Sequence, residues 1–200
     1  MKHKQTIILL LITFFMSAAI NTQAQKAPTD YVHVPGPILF DSKAYSLSWS
    51  SHPATNFYKQ EYLVKGDNPD QFKMMVLTDV VTGGTAIKDV VSAKLNELKK
   101  MKEANPLVNY EVINNAKTGE YMIDFLLSAN DANGNMNIVE RNVYRYRSFT
   151  DKAGKSGVQL FGVSTRSYGA DINKFLLALK ANRKDLVNKI AQFKLPEVKI

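Results

Sequence analysis

The sequence predicts an α+β fold, an antiparallel β-sheet packed by two amphipathic helices. Three observations lead to this prediction: several segments alternate apolar and polar residues, two segments repeat apolar residues at helical spacing, and Asn133-Gly134 marks a tight hairpin. A one-sided antiparallel sheet needs a cover for its apolar face, and two such helices can provide it. At 200 residues, 45% hydrophobic and 22% charged, the chain has an ordinary globular composition.

The first half of the chain predicts three strands. Tyr45, Leu47 and Trp49 alternate with small or polar residues, which is the period of a half-buried strand. Two further β-rich runs are separated by a cluster of turn formers at residues 65–70, so we expect them to form a hairpin. The predicted strands cover residues 44–50, 58–64 and 72–81.

A first helix is predicted to follow the Gly-Gly turn at residues 83–84. Its apolar residues fall on one stripe at helical spacing, Thr85 is placed to act as the N-cap, and Asn105-Pro106 ends the helix. The stripe consists of Ile87, Val90, Val91, Leu95, Leu98 and Met101.

The second half predicts four strands and a closing helix that Asp171 caps. If Asn133 and Gly134 are the two loop residues of a hairpin, Tyr121 faces Tyr146 on one side of the sheet. The same register places arginines on the other side, and the agreement between turn and alternation supports it. The predicted strands cover residues 108–114, 120–129, 136–149 and 158–166.

The start of the chain predicts export. Lys2 and Lys4 give the first residues a positive charge, and residues 7–20 are uncharged and mostly apolar. Thr22-Gln23-Ala24 then has the small residues of a cleavage site. We therefore expect a signal peptide at residues 1–24, an extended segment at 25–37 and a single α+β domain at 38–200. A retained N-terminal anchor is the alternative. The expected location is periplasmic or secreted, with no transmembrane segment after signal removal.

The order of these elements resembles the PsbP/Mog1-like α/β sandwich, from the strand that ends in Trp49 to the closing helix. Separately, Glu61 to Asp67 is similar to an E-Y/F-x-x-x-G-E/D stretch of uncharacterised exported bacterial proteins. These resemblances imply a non-catalytic accessory or binding domain and carry over no active-site residues. PsbP proteins often have a proline shortly before the tryptophan, whereas Ser46-Leu47-Ser48 stands here, so no photosystem role follows.

The sequence lacks the residues that most catalytic mechanisms require. The absence of cysteine excludes thiol proteases, disulfide scaffolds and thiolate metal sites. Only two histidines remain after signal removal: His33 in the proline-rich entry segment and His52 in a predicted Ser-Ser-His-Pro turn. No G-x-S-x-G elbow is present. Carboxylates are the remaining catalytic groups, but Asp79, Asp89 and Asp124 lie on different predicted elements. We predict a protein that is not an enzyme and needs no cofactor.

Two short motifs are weak ligand candidates. Asp131, Asn133 and Asn135 are similar to the start of a calcium loop, but the glycine and glutamate of that loop are missing from the required positions. A polar hairpin turn explains the same residues.

Gly83, Gly84 and Thr85 are the second motif, because free backbone N–H groups at a helix start can hold an anion. They lack the spacing and the lysine of a nucleotide-binding loop, so an ordinary strand-to-helix turn is the alternative.

Arginines are the main candidate for partner binding. In the predicted register Arg141, Arg145 and Arg147 share the face opposite the tyrosines, and Arg166 joins them if its strand pairs alongside. If both helices pack on the tyrosine side, this face is open and would dock an acidic protein or an anionic envelope component. The alternative is that these arginines pair with Glu120 and Asp124 or keep the sheet soluble.

The first functional hypothesis is a non-enzymatic binding or accessory domain of the bacterial cell envelope. The net charge of +8 is spread along the chain without a basic run, so nucleic acid is not an expected partner. A lipid or other small apolar ligand, carried in a cavity lined by Met74, Tyr121 and Phe161, is the alternative. A hydrolase with two facing carboxylates is the second alternative.

Overall fold

The computed structural model describes residues 27–200, so the predicted signal peptide at 1–24 lies outside the described residues. Within these residues the chain forms eight strands, two helices and a 3-10 turn at Gly169–Asp171. The strands are β1 (Ile38–Phe40), β2 (Lys43–Ala54), β3 (Phe57–Val64), β4 (Met74–Val81), β5 (Asn109–Asn115), β6 (Glu120–Asn130), β7 (Met136–Thr150) and β8 (Ser156–Tyr168). The helices are α1 (Ile87–Ala104) and α2 (Ile172–Gln192).

All eight strands form one antiparallel sheet in the order β1-β2-β3-β4-β8-β7-β6-β5. The sheet curls into a half-barrel, and the protein is mostly β. The predicted α+β fold, a PsbP/Mog1-like sheet packed by two amphipathic helices, is therefore wrong. Strands as long as the 15 residues of β7 wrap around much of the core themselves, so the helices are additions to a curled sheet.

The two helices lie on opposite faces of the sheet. Leu186 and Ile190 of α2 share a buried cluster with Val143 of β7, whereas Val91 and Leu98 of α1 share another with Tyr146. Successive residues of a strand point to opposite faces, so residues 143 and 146 mark different sides. We call these sides the α2 face and the α1 face.

The predicted register between β6 and β7 is confirmed. Tyr121 pairs with Tyr146, and Met122 pairs with Arg145. The turn itself differs, because the Asp131 N–H donates to the Asn135 carbonyl and the register slips between Ala129 and Asn130. This bulge restores the pairing that a two-residue loop would have given, so the alternation decided the register.

Both ends of the described chain cross the α2 face. Backbone N–H groups of Tyr31 and Val32 donate to Oε1 of the fully buried Gln60, at 2.6 and 3.0 Å. The Lys199 N–H donates to the Val32 carbonyl at 3.0 Å, which joins the two ends. Leu195 is buried there, so the predicted extended segment and the C-terminal residues complete the cover that α2 begins.

The helix ends agree only in part with the sequence. Asn105 ends α1 as predicted, but Ala86 and not Thr85 is its N-cap, since the Thr85 hydroxyl donates to the Thr82 carbonyl instead. Helix α2 begins after Asp171 and is interrupted by a non-helical backbone at Asn182. Within residues 27–200, no helix combines the length and the apolar character needed to cross a membrane.

Candidate functional site

Arg141, the first predicted binding residue, is buried in an ion pair on the α2 face. Its Nε and Nη2 donate to the two carboxylate oxygens of Asp124, at 3.0 and 3.1 Å, and Nη2 also donates to the Arg183 carbonyl of α2. Arg183 donates to the same carboxylate at 2.9 Å. The side chains of Arg141 and Asp124 are only 6% and 4% exposed. This bidentate pair therefore stabilises the fold and presents no guanidinium to a partner.

Arg145 and Arg147 are bound to the C-terminal part of the chain. Nη1 of Arg145 donates to the carbonyls of Ile190, Ala191 and Phe193, so this guanidinium caps the end of α2. Arg147 donates to the Pro196 carbonyl at 3.0 Å. Burial, followed by the charge of Arg145, lowers the pKa of Arg147.

The expectation of an open arginine face is therefore wrong. It assumed that both helices pack on the tyrosine side, whereas α2 lies on the arginine side and its C-terminal carbonyls accept the guanidinium protons. Arg166 lies on the opposite, α1 face, where it pairs with Glu140 at 2.5 Å and stacks 4.2 Å from the Phe72 ring.

The predicted anion motif forms an ordinary turn. The Gly84 N–H donates to the Ser156 carbonyl at 2.8 Å, and Gly83 and Gly84 both have positive φ angles, 84° and 85°. Glycine suits this backbone because it lacks a Cβ. The Thr85 hydroxyl donates to the Thr82 carbonyl, so the polar groups of the motif form hydrogen bonds within the strand-to-helix connection.

The weak calcium motif also builds a turn. Oδ1 of Asp131 accepts from the backbone N–H groups of Asn133 and Asn135, both at 2.9 Å. Among residues 27–200, no group of three or more histidine or acidic side chains is arranged to hold a metal ion.

The remaining sequence candidates do not come together. Met74 and Phe161 belong to the cluster on the α2 face, whereas Tyr121 packs on the α1 face, so they cannot line one cavity. His52 lies in β2 instead of the predicted turn, stacked 4.2 Å from the Tyr58 ring. His33 hydrogen-bonds through Nδ1 to the Lys199 carbonyl.

A cleft that the sequence did not suggest lies between α1 and the sheet. Its volume is about 600 Å³, and it is bounded by residues of β3, β4, β7, β8 and the middle of α1. Val81, Val90, Val158 and Leu160 provide apolar walls. We call this cavity the α1 cleft.

Asp79 is the buried carboxylate of the α1 cleft. Its Oδ2 accepts from Lys59 Nζ at 2.7 Å, whereas its Oδ1 is buried without a hydrogen-bond partner among the described residues. The residue is 9% exposed. Burial raises the pKa of Asp79, and the neighbouring Lys59 ammonium opposes that rise. A buried acceptor without a partner is costly, so this oxygen marks a place where an additional donor would be stabilising.

Two tyrosines of β7 lie beside this carboxylate. The Tyr146 hydroxyl is buried without a partner among residues 27–200, and the residue is 1% exposed. Burial raises the pKa of Tyr146, and the charge of Asp79 raises it further. The pKa of Tyr144 is raised for the same two reasons, in the same order. Both phenols therefore stay protonated at neutral pH.

The opposite wall of the cleft carries a second ion pair. Lys94 of α1 donates to Glu97 Oε1 at 3.0 Å. The Lys94 ammonium also lies 5.0 Å from the centre of the Phe125 ring and 5.8 Å from that of Tyr144. The cleft thus combines apolar walls, two ion pairs and two unpartnered polar atoms.

A protein-family model matches residues 32–195, from the buried Val32 to the buried Leu195. The chain belongs to that family. Its members are uncharacterised, and the matched range contains both the α1 cleft and the crossing of the two chain ends on the α2 face. No curated protein matches the chain.

One signal in the sequence would have pointed to Asp79. It is the only charged residue in β4, Met-Met-Val-Leu-Thr-Asp-Val-Val, whose central residues are all buried. A carboxylate in such an apolar strand must be paired or placed at a site, because isolated burial is costly. Tyr144 and Tyr146 were correctly predicted to share one face, but alternation alone does not reveal a cleft above them.

Proposed function

We propose that the chain is a non-enzymatic binding domain of the bacterial cell envelope that holds one small amphipathic molecule in the α1 cleft. One observation carries the proposal: apolar side chains, the Lys59–Asp79 ion pair and two tyrosines line one cavity of about 600 Å³. Ligand sites typically have this size and combine apolar lining with a few convergent polar groups.

The envelope location rests on the sequence. The positive start, apolar run and Thr22-Gln23-Ala24 site support export and cleavage near residue 24. Intact-mass measurement of the protein recovered from the envelope tests this. The full mass of 22.4 kDa would contradict it.

We also propose that the chain, which is basic as a whole, has an acidic partner. The net charge of +8, which becomes +6 when Lys2 and Lys4 leave with the signal peptide, favours attraction to an acidic protein or an anionic envelope component. That attraction weakens with salt. Arg141, Arg145 and Arg147 no longer support such a docking face, since their guanidinium groups bond within the chain.

Binding in the α1 cleft is tested with a fluorescent apolar reporter and two tryptophan substitutions on α1. Ala93 is an exposed residue that lines the cleft, so Ala93→Trp adds an indole at its opening. Ser92 is exposed on the same helix and is not part of the lining, so Ser92→Trp is the matched control. We expect Ala93→Trp to weaken reporter binding at least about tenfold and Ser92→Trp to leave it unchanged.

Equal binding by the two variants would place the ligand elsewhere, and no binding by the unaltered protein would reject the proposal. Mass spectrometry of organic extracts from the protein purified from its own envelope then identifies the natural ligand.

A carboxylate-based hydrolase is the second candidate function, favoured by one observation. Asp79 and Glu97 line the same cleft, and burial raises the pKa of Asp79, as a general acid requires. Hydrolysis of a panel of chromogenic glycosides and esters tests it. Activity that Asp79→Asn abolishes would support the hydrolase, and activity that survives Asp79→Asn would contradict it.

A further inference from the structure

Among the described residues, the sheet ends at two edge strands, β1 and β5, which differ in how they are protected. An open edge presents backbone groups without partners, and proteins usually protect it with short strands, prolines, lysines or bulges. Strand β1 has only three residues and follows Pro35 and Pro37. Strand β5 has seven residues without proline or lysine, and it pairs with β6 without a bulge. The β5 edge is therefore a regular edge that another strand can join.

The direction of the backbone groups along β5 shows which residues a joining strand would meet. The Tyr110 N–H donates to the side-chain oxygen of the exposed Asn109 at 3.0 Å. The Asn115 carbonyl accepts from the Gly119 N–H at 2.8 Å, within the turn that leads to β6. Because backbone groups alternate in direction along an antiparallel strand, both contacts indicate that odd-numbered residues face β6. The residues whose N–H and carbonyl groups face outward are Tyr110, Val112 and Asn114.

A second copy of β5 in the antiparallel direction matches this edge residue by residue. When Val112 lies opposite its own copy, Tyr110 lies opposite Asn114, so outward-facing residues meet and each pair can exchange two hydrogen bonds. The side chains are compatible as well. Val112 is 41% exposed and would contact an identical apolar side chain, while Glu111 lies opposite Ile113 and not opposite another charge. A two-fold axis through Val112 produces this pairing, so the assembly closes at two copies.

The charge of the edge also favours a second copy. Glu111 is the only charged residue in β5, and its carboxylate lies 3.4 Å from Nη2 of Arg183 in the same chain. The edge therefore presents little net charge, and the basic character of the whole chain is not concentrated there. An acidic segment would find no cluster of cations along β5, whereas an identical strand finds matching hydrogen-bonding groups and an apolar centre.

We propose that two copies of the chain pair through their β5 strands, antiparallel and centred on Val112, so that the two sheets join into one continuous sheet.

The proposal is tested by placing the same charge on each edge of the sheet. Val112→Lys puts two ammonium groups opposite each other in the dimer, whereas Leu39→Lys puts one on β1, where Leu39 is 70% exposed. Sedimentation velocity of the purified protein from micromolar to submillimolar concentration measures the association. We expect the unaltered protein to dimerise, Val112→Lys to weaken dimerisation at least about tenfold, and Leu39→Lys to leave it unchanged.

A mixture of two variants tests the register. Val112→Lys and Val112→Glu each place like charges opposite each other, whereas an equal mixture places a cation opposite an anion. The mixture should associate about tenfold more tightly than either variant alone. A merely unfolded variant would not be restored by mixing.

Amide hydrogen exchange provides a measurement that needs no substitution. The Val112 and Asn114 N–H groups should exchange more slowly as the concentration of the unaltered protein rises, because only the second copy bonds them. The Leu39 N–H should not change with concentration.

Several results would overturn the proposal. A protein that stays monomeric over this range would leave the β5 edge to an extended segment of another protein. Equal weakening by both lysine variants, or a mixture no tighter than its components, would place the contact elsewhere. If the Val112 variants do not fold by circular dichroism, hydrogen exchange of the unaltered protein decides, and a Val112 exchange rate independent of concentration rejects the β5 pairing.

Discussion

The two faces of the sheet differ in how their buried polar groups are hydrogen-bonded. On the α2 face Gln60, Tyr62, Arg141 and Gln159 are buried, and each has hydrogen-bond partners within the chain, although the Thr78 hydroxyl has none among the described residues. On the α1 face Asp79 Oδ1 and the Tyr146 hydroxyl lack such partners and lie beside an open cleft.

The difference follows from how completely the rest of the chain covers each face. Helix α2 and both chain ends seal the α2 face, and their carbonyls accept the protons of its arginines. Helix α1 covers only part of its face. Polar groups that are bonded within the chain stabilise the fold, whereas buried polar groups without partners lower its stability.

The largest expected difference comes from removing one buried carboxylate on each face. Asp124→Ala leaves Arg141 buried without its bidentate partner and should lower the free energy of unfolding by about 3–5 kcal/mol. Asp79→Ala is the comparison, because its partner Lys59 is one-third exposed and can be hydrated, so the loss should stay below about 1 kcal/mol. Urea denaturation measures both, and equal losses would remove the distinction between the faces.

The cap on α2 gives the next largest effect. Arg145→Ala removes three hydrogen bonds to the last carbonyls of α2 and the pair with Glu120, so the free energy of unfolding should fall by about 2 kcal/mol. Arg145→Lys keeps the charge without the forked geometry and should recover only part of that loss. Full recovery by lysine would mean that charge alone matters at this position.

The raised pKa of Asp79 predicts a pH dependence. The folded protein holds the Asp79 proton more tightly than the unfolded chain, whose pKa is about 3.9. The free energy of unfolding should therefore decrease as pH rises from about 4 through the raised folded-state pKa, by about 1.4 kcal/mol per pKa unit of the shift.

Asp79→Asn does not titrate and should lack this component. Since Glu61 also has a raised pKa, from burial, the difference between the two proteins is the quantity to measure by denaturation across pH. A difference that stays constant with pH would contradict the assignment.

The smallest effect concerns the rim of the cleft. Glu97→Gln breaks an i,i+3 pair with Lys94 in which the glutamate is 56% exposed, so stability should change by only about 0.2–0.5 kcal/mol. Thermal melting measures it, with Glu103→Gln at an exposed position of the same helix as the control. A loss above about 1 kcal/mol would mean that this pair stabilises the fold more than an exposed helix pair does.

The sequence predicted the local elements well where one signal was strong. The alternation around Tyr121 and Tyr146 predicted the β6–β7 register, and Asn105-Pro106 predicted the end of α1. It was less successful where neighbouring polar groups compete, as at Thr85, whose hydroxyl bonds to Thr82 instead of capping α1. It also missed the strand character of His52, because a proline follows it and suggests a turn.

The sequence by itself determined which side chains share a face, since the two-residue period of a strand is local. It thus grouped Arg141, Arg145 and Arg147 correctly and separated them from Tyr144. Only the tertiary structure decided what covers each face. The carbonyls that bind Arg145 are 45 to 48 residues away along the chain, and no local pattern encodes which side α2 packs on. That choice closed the arginine face and left the α1 cleft open, because residues 31–34 and 193–200 pack on the α2 face together with α2.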